Sequence, residues 1–196
     1  MHLARRAWCR TYQTVFRIAL PILPYTEPRI LEHAEDVPAV FQKRSIQQVL
    51  IVTDPGIARL GLTAPLERAL ASKGIGVTVY AETRANPTVS NVEEAAALYR
   101  ENDCQAIIGF GGGSAMDCAK GVGARIAQPN KPINKMRGLL RVHRLLPLLI
   151  AVPTTAGTGS EVTLAAVITD DETHYKYPIN DFVLIPRFAV HDPEFT

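Results

Sequence analysis

Apolar residues in this chain fall into short, nearly unbroken runs separated by longer stretches of mixed character. Val49-Leu-Ile-Val52, Val77-Thr-Val-Tyr80, Ala106-Ile-Ile108 and Leu148-Leu-Ile-Ala-Val152 are the clearest. Continuous runs of this length are expected of strands buried on both faces. Amphipathic stretches lie between them. One helix is expected over residues 64–72, closed by Gly74 and Gly76, and a second over 91–101, with Ser90 as N-cap and Glu93 as its capping-box partner. Ser114 is expected to open a third, through Ala119 to about Arg125, after a glycine turn at 109–113. This alternation predicts an α/β fold, a Rossmann-like and mostly parallel sheet with helices on both faces. Beyond Pro153 the pattern changes. Residues 162–169 and 175–179 flank the polar Asp170-Asp-Glu172, predicting a β-hairpin near the C-terminal end, and Phe188-Ala-Val-His191 predicts one more strand. Asp192-Pro-Glu-Phe-Thr196 then carries a helix-start signal.

Composition narrows the class. The chain has 196 residues, is 47% hydrophobic and 20% charged, and carries a net charge of +2. These values are ordinary for a globular domain, and they exclude disorder and a polycation built for nucleic acid. The expected division is an N-terminal helix and linker at 1–28 and one domain at 29–196. Residues 1–26 contain no acidic residue, carry Arg5, Arg6, Arg10 and Arg17, and repeat Trp8, Tyr12, Phe16, Ala19 and Leu20 at helical spacing. A transit peptide shares those traits, but the scarcity of serine favours an amphipathic helix packed on the domain, ended by Pro21-Ile-Leu-Pro24. No apolar run reaches the roughly 18 residues of a membrane-spanning helix. Cys9, Cys104 and Cys118 are odd in number and irregular in spacing, as expected of reduced thiols in a cytoplasmic protein.

Two segments carry the candidate chemistry. Gly109-Phe-Gly-Gly-Gly-Ser114 follows a strand and opens a helix, where bare backbone can approach a phosphate and the helix N-terminus offers unpaired N–H groups. Its spacing matches neither G-x-G-x-x-G nor a P-loop. A valine at Gly113 is expected to block that approach and to strain a positive-φ backbone. Pro153-Thr-Thr-Ala-Gly-Thr-Gly-Ser-Glu161 also follows a strand and offers hydroxyls and amides at its carboxyl end, where open α/β sheets bind ligands. Neither Ser114 nor Ser160 sits in a G-x-S-x-G elbow, which argues against a serine hydrolase. Asp54, just past the first buried strand, can accept hydrogen bonds from ribose hydroxyls and repel a 2′-phosphate, favouring NAD over NADP. His2, His33, His143, His174 and His191 are scattered and form no metal-binding pair.

Together these residues resemble the iron-containing alcohol dehydrogenases. Gly111-Gly-Gly-Ser-Ala-Met-Asp117-Cys-Ala-Lys120 and the Pro153–Glu161 run look like that family's paired signatures. Thr53-Asp54, Asn86-Pro87-Thr88, Ala166-Val-Ile-Thr-Asp170, Lys176 and Ala189-Val-His-Asp192-Pro193 fall in matching order. The resemblance implies an NAD-dependent oxidoreductase that interconverts a small alcohol and its aldehyde, with no nucleic acid or membrane partner and a homo-oligomer left open. It further implies that Asp54 binds the adenosine ribose, that Gly112, Gly113 and Ser114 hold the pyrophosphate with Asp117 beside them, and that Asn86 lies near the nicotinamide ribose. Thr154, Thr155 and Thr158 would line the adenine and phosphate side; Thr163, Val167 and Lys176 would flank the nicotinamide. The family's Fe2+, or another divalent metal, is held by an Asp and three His of an all-helical domain that has no counterpart in these 196 residues. The alternative expectation is therefore a nucleotide-binding fragment without turnover of its own.

Overall fold

The computed structural model describes residues 25–195, together with Arg10, Thr11, Gln13 and Thr14. The helix expected around Trp8, Tyr12, Phe16 and Leu20 lies outside the described residues.

Six strands form one sheet in which every described pairing is parallel. They are β1 (Arg29–Leu31), β2 (Gln48–Val52), β3 (Gly76–Tyr80), β4 (Ala106–Gly111), β6 (Leu148–Pro153) and β9 (Phe188–Val190), in the spatial order β1-β9-β6-β4-β2-β3. A smaller sheet holds β5 (Gly138–Leu139), β8 (Lys176–Asn180) and β7 (Ala165–Thr169), with β7 and β8 as the antiparallel hairpin. The helices are α1 (Val37–Gln42), α2 (Pro55–Arg59), α3 (Ala64–Ser72), α4 (Val89–Glu101) and α5 (Gly113–Ala127).

Side chains along a strand alternate between its faces, and here each face has a core of its own. Leu50, Val52, Ile107 and Leu149 point to the side covered by α4, α5 and the hairpin. Val49, Ile51, Ile108, Phe110, Ile150 and Val152 point to the side covered by α1 and α3. Burial on both faces is the physical reason these strands are apolar without interruption. The expected α/β sheet with helices on both faces is the observed fold, and the hairpin stands where the pattern put it.

Several boundaries differ from the expectation. Gly109, Phe110 and Gly111 are not a turn: they complete β4, paired with Ala151, Val152 and Pro153 of β6. Helix α4 is capped by Thr88 and not by Ser90. The Thr88 hydroxyl accepts the Asn91 N–H at 3.2 Å, and the Asn91 carbonyl accepts the Thr88 N–H at 3.2 Å, so asparagine closes the box assigned to Glu93. The first hairpin strand is shorter than expected because residues 160–162 form a 3-10 turn, while the second keeps five residues and is shifted by one. Helices α1 and α2 and strands β1 and β5, each six residues or fewer, were not anticipated.

Candidate functional site

The sheet order reverses between β2 and β4. From β2 the chain steps outward to β3, then crosses back to β4 and on toward β6. At such a reversal the loops leaving neighbouring strands part, opening a crevice at the carboxyl ends. Here it is a cleft of about 870 Å³, lined by Asp54 and Arg59 after β2, Thr83 and Arg84 after β3, Gly112, Gly113 and Ser114 after β4, and Thr154 and Thr155 after β6.

The N-terminus of α5 forms one wall. Gly112 is its N-cap, at φ −77° and ψ −174°, with no side chain to cap the helix. The first N–H groups of a helix have no intrahelical acceptor and carry partial positive charge. Among glycines 109 and 111–113, Gly111 alone needs glycine for its backbone: its φ is 140°, and a Cβ there would stand 3.0 Å from Ala115 Cβ and 3.3 Å from Asp54 Oδ2. Gly113, expected to be the strained position, adopts helical geometry. What it requires is space, since a Cβ would stand 3.1 Å from Thr158 Cγ2, while one on Gly112 would stand 3.4 Å from Thr155 Oγ1. The two signature segments thus face each other across bare backbone. Thr154 N–H ties them by donating to the Gly111 carbonyl at 3.0 Å.

Asp54 caps α2. Its Oδ1 accepts the N–H groups of Gly56 and Ile57 at 2.8 and 3.1 Å, and among the described residues Oδ2 accepts from none. Asn86 is exposed, in a left-handed conformation at φ 61°, and its N–H donates to Ser114 Oγ at 3.3 Å. That places the loop before α4 against the mouth of α5.

The remaining expected residues sit on a second constellation. Asp117 is not among the cleft's lining residues. Its Oδ1 accepts the Ser160 hydroxyl at 2.7 Å and its Oδ2 accepts the Val167 N–H at 3.0 Å, so both oxygens fasten the hairpin and the threonine loop to α5. Lys120, one turn on, is fully buried and donates to the Thr163 carbonyl at 2.8 Å, the Thr163 hydroxyl at 3.0 Å and the Ala165 carbonyl at 2.9 Å. Burial pushes its amine down to about 8, against the pull of Asp117 and Glu161. Thr163 is thus engaged by Lys120, Val167 is exposed on β7, and Lys176 opens β8 opposite Thr169. None of the three lines the cleft.

Sequence reasoning missed the residues that hold this arrangement. Asn91, 3% exposed, donates to the Tyr80 hydroxyl at 2.9 Å and the Glu82 carbonyl at 3.1 Å and accepts the N–H of Arg84, organising the loop that carries Asn86. A polar residue three positions after Thr88 was the available signal. Lys120 closes the Gly111–Lys120 signature, but nothing in that run of residues showed that it is buried or what it holds. Among the described residues no three His, Cys, Asp or Glu side chains converge as metal ligands, so these residues do not fit an iron ion.

A mostly parallel sheet, a glycine-walled helix N-terminus at its reversal point and a threonine-rich loop facing it define a Rossmann-like α/β architecture. The chain belongs to the iron-containing alcohol dehydrogenase family, whose model matches residues 30–193. It is 39% identical over 148 residues to alcohol dehydrogenase 4 of Schizosaccharomyces pombe, covering 76% of this chain and 35% of that protein. The alcohol dehydrogenase from Oenococcus oeni superposes with a TM-score of 0.81 at 33% identity, over 87% of this chain and 46% of that one. Sulfoacetaldehyde reductase from Bifidobacterium kashiwanohense, solved in complex with NAD+, gives 0.75 at 30%, over 88% of this chain and 46% of its own. The chain therefore spans less than half the length of these relatives.

Proposed function

We propose that this chain forms the nicotinamide-cofactor site of an alcohol oxidoreductase, acting on a small alcohol or its aldehyde. The observation that carries this reading is the wall of the cleft: the uncapped N-terminus of α5, bare at Gly112 and Gly113 and faced by Thr155 and Thr158. Such a surface suits a pyrophosphate, because N–H donors and the helix dipole favour anionic oxygens and the missing side chains let them approach.

The donor set fits NAD. In this reading the N–H groups of Gly113 and Ser114 and the Ser114 hydroxyl hold phosphate oxygens, while Thr154, Thr155 and Thr158 close the opposite side. Asp54 has one carboxylate oxygen to offer the adenosine ribose. Asn86 orients the second ribose, and Thr163, Val167 and Lys176 flank the nicotinamide end. Asp117 is a positioning residue in this scheme, because both its oxygens are occupied by protein donors. A bound nicotinamide supplies the hydride acceptor. The residues of this chain contribute binding and orientation, which set how near the reacting carbon can come. No step is assigned to a metal.

Calorimetric titration of the chain with NADH tests the reading. Saturable binding is expected, lost in Gly113→Val with an unchanged circular dichroism spectrum; normal binding by that variant would remove the pyrophosphate role. NADH is expected to bind more tightly than NADPH, and Asp54→Asn should narrow the difference while keeping an oxygen to cap α2. Formation of NADH from short alcohols is the separate test of turnover. Binding without turnover would favour the alternative of a nucleotide-binding unit.

A further inference from the structure

A second hollow, of about 390 Å³, lies between the segment joining α5 to β6 and the β7–β8 hairpin, and shares no lining residue with the cleft. One wall carries Lys135, Arg137 and Arg141. All three are exposed, and among the described residues their side chains make no hydrogen bond or ion pair. The segment that presents them is anchored from below. Ile133, Met136 and Val142 are fully buried, Asp181 Oδ2 accepts the N–H groups of Val142 and His143 at 3.0 and 3.2 Å, and β5 pairs with β8. The three cations therefore stand on a fixed platform.

The opposite wall includes Tyr177, 3% exposed, whose hydroxyl has no partner among the described residues. Burial, then Asp170 and Asp171, push this phenol up to about 12 against the pull of Arg137, so at neutral pH it is an O–H donor. Leaving such a donor unmatched in the interior is costly. Asp170 shares the wall, but its Oδ1 is turned into its own loop, accepting from the Thr173 N–H and hydroxyl, each at 2.9 Å, and from the Glu172 N–H at 3.1 Å. Asp171 is bound to the Ser90 N–H at 2.8 Å. Three unpaired cations and a buried, unmatched donor call for a ligand that only accepts and is negatively charged, and arginine pairs well with the oxygens of phosphate.

We propose that this hollow binds a phosphate-type oxyanion, either free or carried on a small metabolite, through Arg137, Arg141 and Lys135 with the Tyr177 hydroxyl as a neutral donor. The test is equilibrium dialysis of the 196-residue chain against inorganic phosphate, and separately against ribose 5-phosphate, at constant ionic strength. Saturable binding is expected, roughly tenfold or more weaker in Arg137→Gln/Arg141→Gln. Tyr177→Phe should weaken it several-fold without lowering the melting temperature, since an unmatched hydroxyl is removed. Tighter binding of ribose 5-phosphate would assign the site to a phosphorylated metabolite; equal binding would assign it to the free anion. Equal affinity in the double arginine variant, displacement of phosphate by NADH, or no saturable binding into the millimolar range would each overturn the proposal.

Discussion

Two carboxylates, Asp54 and Asp117, show how an acidic side chain can act through the backbone around it. Asp54 spends one oxygen on the start of α2, and Asp117 spends both on Ser160 and Val167. Truncating Asp117 to alanine leaves two donors without acceptors and should cost about 1–3 kcal/mol. Asp117→Asn should be much milder. The amide oxygen can still accept the Val167 N–H, and the Ser160 hydroxyl can rotate to accept from the amide nitrogen. Thermal unfolding of the two variants checks this; equal losses would mean that the charge of Asp117 matters more than its hydrogen bonds. The sequence pointed to both aspartates because each falls at a recognisable place in a motif. It could not show which way Asp117 faces, since that depends on Ser160 and Val167, 43 and 50 positions away.

At the scale of elements, what was legible followed from burial. Strands β2, β4 and β6 are apolar because both faces are covered, and α3 begins and ends at the expected residues. Helices α1 and α2 and strands β1 and β5, of two to six residues and without a continuous apolar run, escaped because a periodicity needs more length to register. The glycine segment misled for a different reason. Glycine usually marks a turn, yet Gly109 is inside β4 because α5 passes directly over it: a Cβ would stand 2.9 Å from Ala119 Cβ and 3.3 Å from Met116 Cα. Gly109→Ala should therefore force α5 off the sheet and destabilise the chain by about 1–3 kcal/mol, the usual range for overpacking. Denaturant unfolding measures it. A loss below a few tenths of a kcal/mol would show that the helix has room to move.

For the whole molecule, buried titratable groups set the response to alkali. Lys120 has its amine near 8 when folded and at the ordinary 10.5 when unfolded. Above pH 8 the unfolded chain holds the extra proton, so this group adds stability as pH rises. Cys118, at about 12 against an ordinary 9, and Tyr99 and Tyr177, at about 12 against 10, act oppositely. Each is raised first by burial, so stability present below the unfolded value is lost as pH climbs toward the folded one. The melting temperature should hold or rise slightly from pH 8 to 9 and fall steeply beyond 10. In Lys120→Met the rise should vanish, and in Cys118→Ala the fall should begin about one pH unit later. Calorimetry across that range tests all three curves.

The core on the α4–α5 face also has a history in time. It joins Leu50 and Ile107 to Ala166, Ile168, Tyr177, Ile179 and Leu184, so its last wall is contributed near the end of the described chain. During synthesis at about 5–20 residues per second, the surface of α5 that the hairpin covers waits on the order of five seconds for that cover. Over that interval a nascent chain presents an apolar helix face to the cell. Its yield in a host should depend on what shelters that surface at the ribosome more than on the stability of the finished fold.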